Sequence, residues 1–188
     1  DQWWYWIDKN GKVYVPSDSN AAVGYSYKLE DASLALKNDK QSYNITKKKV
    51  NSKDYFFNED GEMLSQFIEV TDVPDDNKDL TEGMYYFGGA DDGSMKTGAQ
   101  TVKDDNGDTY KFYFGTKNST TETKGVGITG NKSNKLYYKG LLLTADDYKY
   151  QVATVEINGK DYSFIVNANG AIQHSNVEYK EDGDVLID

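Results

Sequence analysis

The sequence predicts an all-β chain of repeated antiparallel β-hairpins, a solenoid-like array or an elongated meander. One observation is a recurring phrase: an aromatic run, a polar turn, a Gly, then an aliphatic strand. It is clearest in Asp54-Tyr55-Phe56-Phe57-Asn58-Glu59-Asp60-Gly61-Glu62-Met63-Leu64 and in Met84-Tyr85-Tyr86-Phe87 with Asp91-Asp92-Gly93-Ser94-Met95-Lys96-Thr97-Gly98. Self-similarity at an interval of roughly 20–50 residues means that one unit cannot bury its own apolar face. A second observation is the turn chemistry. Asn10-Gly11, Asp60-Gly61, Asp92-Gly93 and Asn169-Gly170 place Gly where positive φ costs least, between apolar runs. The third is composition: 16 Tyr and 7 Phe supply the core material, and strands favour aromatic residues.

Taken in order, the copies fall near 3–15, 25–36, 54–68, 84–99, 110–129, 135–145, 161–173 and 178–187, in one repeat region covering 1–188. The first is Trp4-Tyr5-Trp6-Ile7-Asp8-Lys9-Asn10-Gly11-Lys12-Val13. The second, from Tyr25, is degenerate, with Ala32 where Gly belongs. It reads as a hairpin, and a short helix over 29–36 is the competing reading, since Glu30 and Asp31 suit a first helical turn. The copy opening at Tyr110 carries a turn swollen by polar residues 117–124. The copy at Leu136 has its turn cut to Lys139-Gly140. Tyr162 to Ile172 restores the full phrase, and Tyr179 to Leu186 is a final copy or an edge hairpin. Further strands link the copies at 66–70, 101–102 and 152–157, the last turning at Asn158-Gly159. Residues 71–81 are polar and acidic and read as a long loop.

A net charge of −10 argues against a general nucleic-acid binder, which needs a basic footprint. Lys47-Lys48-Lys49 is too short to change this and reads as a solvated strand or loop edge. The chain has no Cys, so disulfides and thiol chemistry are excluded. No apolar run approaches the ~20 residues that span a bilayer. The sequence starts almost inside a repeat, as expected of a processed or truncated part of something longer.

The phrase around Tyr85-Tyr86-Phe87 and Asp92-Gly93-Ser94-Met95-Lys96-Thr97-Gly98 resembles the cell-wall-binding repeat shared by choline-binding and glucan-binding proteins of Gram-positive bacteria. The copy from Asp54 to Phe67 matches nearly as well, and the others keep only the aromatic-turn-Gly-aliphatic skeleton. The resemblance implies a β-hairpin solenoid on an extracellular, cell-wall-associated protein, acting without catalysis, with no cofactor. Its partner would be a cell-wall polysaccharide or teichoic acid; whether choline is the ligand stays open. In choline-binding relatives, aromatic cages form between successive hairpins and hold a quaternary ammonium by cation–π attraction. The family's Trp after Thr-Gly is replaced here: Phe67 stands there in one copy and Ala99 in the next.

A surviving pocket is therefore expected between the copy ending at Phe67 and the copy starting at Tyr85. Its walls would be Phe67, Tyr85 and Phe87, with Tyr55 and Phe57 from the copy before. Alternation puts Tyr85 and Phe87 on one face and Tyr86 on the other. The other function class is a structural spacer or adhesion segment whose aromatics are all buried. For catalysis, His174 is the only imidazole, with no nucleophile motif beside it. The Asp pairs fall in turns, where they hydrogen-bond local backbone. Asp8-Lys9-Asn10-Gly11 and Asp104-Asp105-Asn106-Gly107 lack the sixth-position Gly and the closing Glu of a calcium loop, so no metal site is expected.

Overall fold

The computed structural model describes residues 3–16, 19–29, 36–174, 179–181 and 184–187. Every regular element among these residues is a β-strand, and every strand pair is antiparallel. In chain order they are β1 (Ala22–Leu29), β2 (Leu36–Val50), β3 (Lys53–Phe57), β4 (Phe67–Asp72), β5 (Gly83–Tyr86), β6 (Gly98–Lys103) and β7 (Thr109–Phe114). β8 (Gly130–Lys132), β9 (Lys135–Tyr138), β10 (Leu141–Leu142), β11 (Tyr150–Ile157), β12 (Lys160–Asn167), β13 (Tyr179–Glu181) and β14 (Asp184–Ile187) follow. One five-stranded sheet has the order β3-β2-β1-β4-β5 and another β6-β7-β10-β9-β8. β11 pairs with β12 and β13 with β14. β1 and β2 pair through to Leu29↔Leu36. Residues 30–35, where a hairpin turn and a short helix compete, lie outside the described residues.

Six hairpins carry the phrase: A (4–14), B (54–64), C (84–96), D (112–128), E (135–143) and F (163–173). In B to F an incoming strand (β2, β4, β6, β8 or β11) pairs with the leading strand (β3, β5, β7, β9 or β12). A turn and a short return strand follow. In A, B and F the residue that organises the turn lies three positions before the Gly. Asp8 Oδ1 accepts the Asn10 and Lys12 amides, and Asn58 Oδ1 accepts those of Asp60 and Glu62. Asn167 Oδ1 does the same for Asn169 and Ala171, and Asp104 repeats the pattern between β6 and β7. Side-chain oxygens thus satisfy amides that a tight turn leaves unpaired, which is why Asp and Asn populate these sites.

One rule joins the hairpins. The return strand of each bonds to the leading strand of the one before. Met63 N donates to Trp4 O, Met95 N to Asp54 O and Gly127 N to Met84 O, each at 2.8 Å; Ile172 N donates to Asn134 O at 2.9 Å. Between D and E, Tyr113 N donates to Gly140 O and Leu141 pairs with Phe112. The turn glycines follow from this stacking. A Cβ on Gly93 would fall within 3.0 Å of the Met63 side chain, one on Gly125 within 3.0 Å of Met95, and one on Gly170 within 3.0 Å of Leu142. The residue two places after one turn Gly therefore covers the turn Gly of the next hairpin.

Leading-strand rings fill the space between units. Phe57, Phe87 and Phe114 occupy the same position in B, C and D and are at most 2% exposed. Each packs on the preceding hairpin: Phe57 on Tyr14 at 5.1 Å, Phe87 on Phe56 at 4.4 Å and Phe114 on Tyr86 at 6.0 Å between ring centres. One core cluster gathers Ala22, Ile45, Phe56, Ile68, Tyr85 and Phe87, a second Leu29, Phe67, Met84, Phe112 and Phe114, and a third Leu136, Val155, Val166 and Ile172.

Candidate functional site

Hairpins A and B leave an aromatic cleft of about 230 Å³ between them. The stacking rule builds it. Trp4 and Trp6 alternate with Tyr5, so they share a side of the leading strand of A; Tyr55 and Phe57 likewise share a side of β3. Docking of the return strand of B onto A, through Met63 N to Trp4 O and the Tyr5↔Glu62 bridge, brings the two sets together. Docking of hairpin C onto Asp54 then sets the turn residues Asp91 and Asp92 at the rim. Tyr5, Met63 and Val50 complete the lining. Phe57 is buried, Trp6 and Tyr55 are half-buried, and Trp4 is exposed.

Charged groups of both signs lie around this cleft. Lys48 Nζ lies 4.4 Å from the Trp6 ring centre and 4.7 Å from that of Tyr14. The middle of the expected solvated Lys47-Lys48-Lys49 edge is thus half-buried over rings, where their quadrupoles attract an ammonium. At the rim, Asp92 accepts from Lys96 Nζ and from the Ser94 amide and hydroxyl. Partial desolvation opposes ionisation of Asp92, but these bonds together outweigh it and hold the carboxyl at about 2. Asp92 is therefore a fixed negative charge at neutral pH.

The five aromatics singled out in the sequence divide between two environments. Tyr55 and Phe57 line the cleft. Phe67 is 3% exposed, stacked on Tyr86 at 4.5 Å and packed on Phe112 at 5.0 Å, and it borders two further clefts, one of about 310 Å³ with Trp3, Tyr27 and Tyr43 and one of about 190 Å³ with Tyr86. Tyr85 and Phe87 are buried against Phe56, in the other core cluster from Phe67. The Tyr85 hydroxyl donates to Thr81 O, and burial, partly offset by that bond, pushes the phenol up to about 12. Trp4, Trp6 and Asp92 were not singled out. The available signal was that all three Trp of the chain sit in one copy.

A second, wider groove of about 1060 Å³ runs past Asp108, Lys111, Asp146, Gln151 and Asn169, with Tyr110 its only ring. His174 is exposed, and its Nε2 lies 2.5 Å from Asn134 Oδ1. Among the described residues no cluster of three or more His, Cys, Asp or Glu is placed to hold a metal. None of the described helices is long and apolar enough to cross a membrane, since none is present.

No family model matches the chain, and no curated protein does. Solved structures to which the chain is similar include the following two. Choline binding protein F from Streptococcus pneumoniae aligns at 21% identity over 93% of this chain and 55% of its own, with a TM-score of 0.23. The same protein in complex with ipratropium aligns at 18% identity over 93% and 57%, again with a TM-score of 0.23. The chain spans little more than half the length of these proteins. A superposition this loose adds nothing to the fold and the cleft described above.

Proposed function

We propose that this chain is a non-catalytic, extracellular attachment module, whose hairpins form a solenoid-like array that holds a cationic group of a cell-envelope polymer. Teichoic acid or wall glycan bearing quaternary ammonium groups is the ligand class, and choline is the simplest probe of it. The observation that carries this reading is the A–B cleft: two Trp, two Tyr and a Phe from successive hairpins beside the Asp91-Asp92 rim. The resemblance of the repeats to cell-wall-binding sequences points the same way. A good ring contact contributes about 0.5–2 kcal/mol to holding such a cation.

A second reading, a structural spacer, draws support from the burial of Phe56, Phe57, Phe67, Phe87, Phe112 and Phe114, all at most 3% exposed. Sedimentation with isolated Gram-positive walls separates the two. The module co-sediments and is released by free choline under the first reading. A chain that stays in the supernatant, whatever the wall, belongs to the second.

A further inference from the structure

Hairpin A breaks the burial pattern that every other full hairpin obeys. Ile7 stands where Phe57, Phe87, Phe114 and Val166 stand in B, C, D and F. Those four are at most 2% exposed, yet Ile7 is 57% exposed. Val13 stands where Met63, Met95, Gly127 and Ile172 donate their amides to the preceding hairpin. In A the Ile7↔Val13 bridge is flanked by bonds from Asp8 N to Lys12 O and from Tyr14 N to Trp6 O. The Val13 amide therefore points away from its own hairpin. Gly11 has the same turn conformation as Gly61, but a Cβ on Gly11 would meet nothing within 4 Å, whereas one on Gly61 would strike the Tyr14 carbonyl. Tyr5, Ile7, Val13 and Val15 share one side of the hairpin by alternation, and all four are exposed.

We infer that this side of hairpin A is a docking face for one further β-hairpin of the class the chain itself repeats. The occupant's chemistry is set by the interface that recurs between C and B and between D and C. It needs an aromatic side chain on its leading strand to cover Ile7, as Phe56 covers Phe87 and Tyr86 covers Phe114. It needs Met or an aliphatic residue two places after its turn Gly, to sit over Gly11 as Met63 sits over Gly93. It needs a leading-strand carbonyl to accept the Val13 amide, as Met84 O accepts Gly127 N. Hairpin C meets all three conditions through Tyr86, Met95 and Met84. Tyr5 also borders the aromatic cleft, but Ile7, Gly11, Val13 and Val15 lie outside its lining, so docking over them stands whether or not the cleft binds a cation.

The test appends a copy of residues 82–98 ahead of Trp3 in the full chain, through a flexible Gly/Ser linker of about ten residues. Tethering keeps the local concentration high even though a lone hairpin is weakly structured. Amide exchange of Val13 is followed by NMR, with the thermal midpoint alongside. The expected result is exchange at Val13 slowed by about tenfold or more, with a higher midpoint. Both gains should vanish when the appended copy carries Met95→Asp. Unchanged Val13 exchange in the extended chain, or equal protection by the Asp-bearing copy, overturns the inference. So does a Val13 amide in the unextended chain that becomes protected as the chain self-associates, which would make a second copy the occupant.

Discussion

The A–B and C–D junctions follow one hydrogen-bonding rule and end in different states. At C–D, Met84 O takes the Gly127 amide, and the strand flanking the junction inserts Phe67 between Tyr86 and Phe112. At A–B, Trp4 O takes the Met63 amide in the same way, but the flanking strand contributes Val50. In the first case the ring stacks into the junction, although Phe67 and Tyr86 still border a cleft of about 190 Å³; in the second a short aliphatic side chain borders the aromatic cleft of about 230 Å³, beside the exposed Trp4. Backbone stacking therefore sets where a pocket can exist. The side chain arriving from the strand beside it helps decide what lines the pocket.

Emptying the filled junction should have the largest effect. Phe67→Ala or Phe112→Ala removes a ring buried to 3% or less, and loss of about 3–5 kcal/mol is expected in urea unfolding. Tyr55→Ala, at the open junction, should cost clearly less. Next comes a matched pair of glycines. Gly61 and Gly11 share φ values of 80° and 77°, but only Gly61 has the Tyr14 carbonyl where a Cβ would go. Gly61→Ala should cost about 3 kcal/mol, at the upper end of ordinary point changes. Gly11→Ala should cost only the backbone penalty of about 1 kcal/mol. Equal losses would mean that the contact plays no part in stacking.

Smaller effects bear on the open cleft. Trp4→Ala should weaken binding of choline several-fold in calorimetric titration while leaving the unfolding midpoint close to wild type. The pH dependence follows from Asp92. Its folded value lies below the ordinary 3.8, so its contribution is complete above that value and is lost as pH falls through about 2. Choline affinity should accordingly stay level from neutral pH down to about 4 and decline below it. An affinity that already halves between pH 7 and 5 would implicate some other group. The smallest effect is at a turn: Asn58→Ala removes the oxygen that accepts the Asp60 and Glu62 amides, and about 1 kcal/mol should be lost.

Much of the strand framework is legible in the sequence, because turns and alternation are local. Asn158-Gly159 marks the β11–β12 hairpin, where both residues take positive φ, and 66–70 and 101–102 mark parts of β4 and β6. The turn signal was only half read. Asx-Gly is visible, but in A, B and F the hydrogen-bonding oxygen belongs to Asp8, Asn58 and Asn167, three residues earlier. Where an aromatic ends up is not local. Phe57 and Phe67 look alike in sequence and both end up buried, yet Phe57 borders the cleft with Trp4 and Trp6 whereas Phe67 borders those beside Trp3 and Tyr86, since that depends on which strands lie beside each junction. Trp4 and Trp6 gain their setting only when B docks on A.

The central claim is that the A–B cleft holds a cation and the cleft beside Phe67 and Tyr86 does not. Trp4 and Trp6 line the A–B cleft, so their fluorescence reports on it, while Trp3 borders a separate cleft beside Phe67. The most direct measurement titrates choline and its neutral tert-butyl isostere into wild type, Tyr55→Ala and Phe67→Leu. Saturable change is predicted with choline alone, weakened several-fold by Tyr55→Ala and retained in Phe67→Leu. Equal responses to choline and the neutral isostere, or a choline response lost in Phe67→Leu and intact in Tyr55→Ala, would contradict the account.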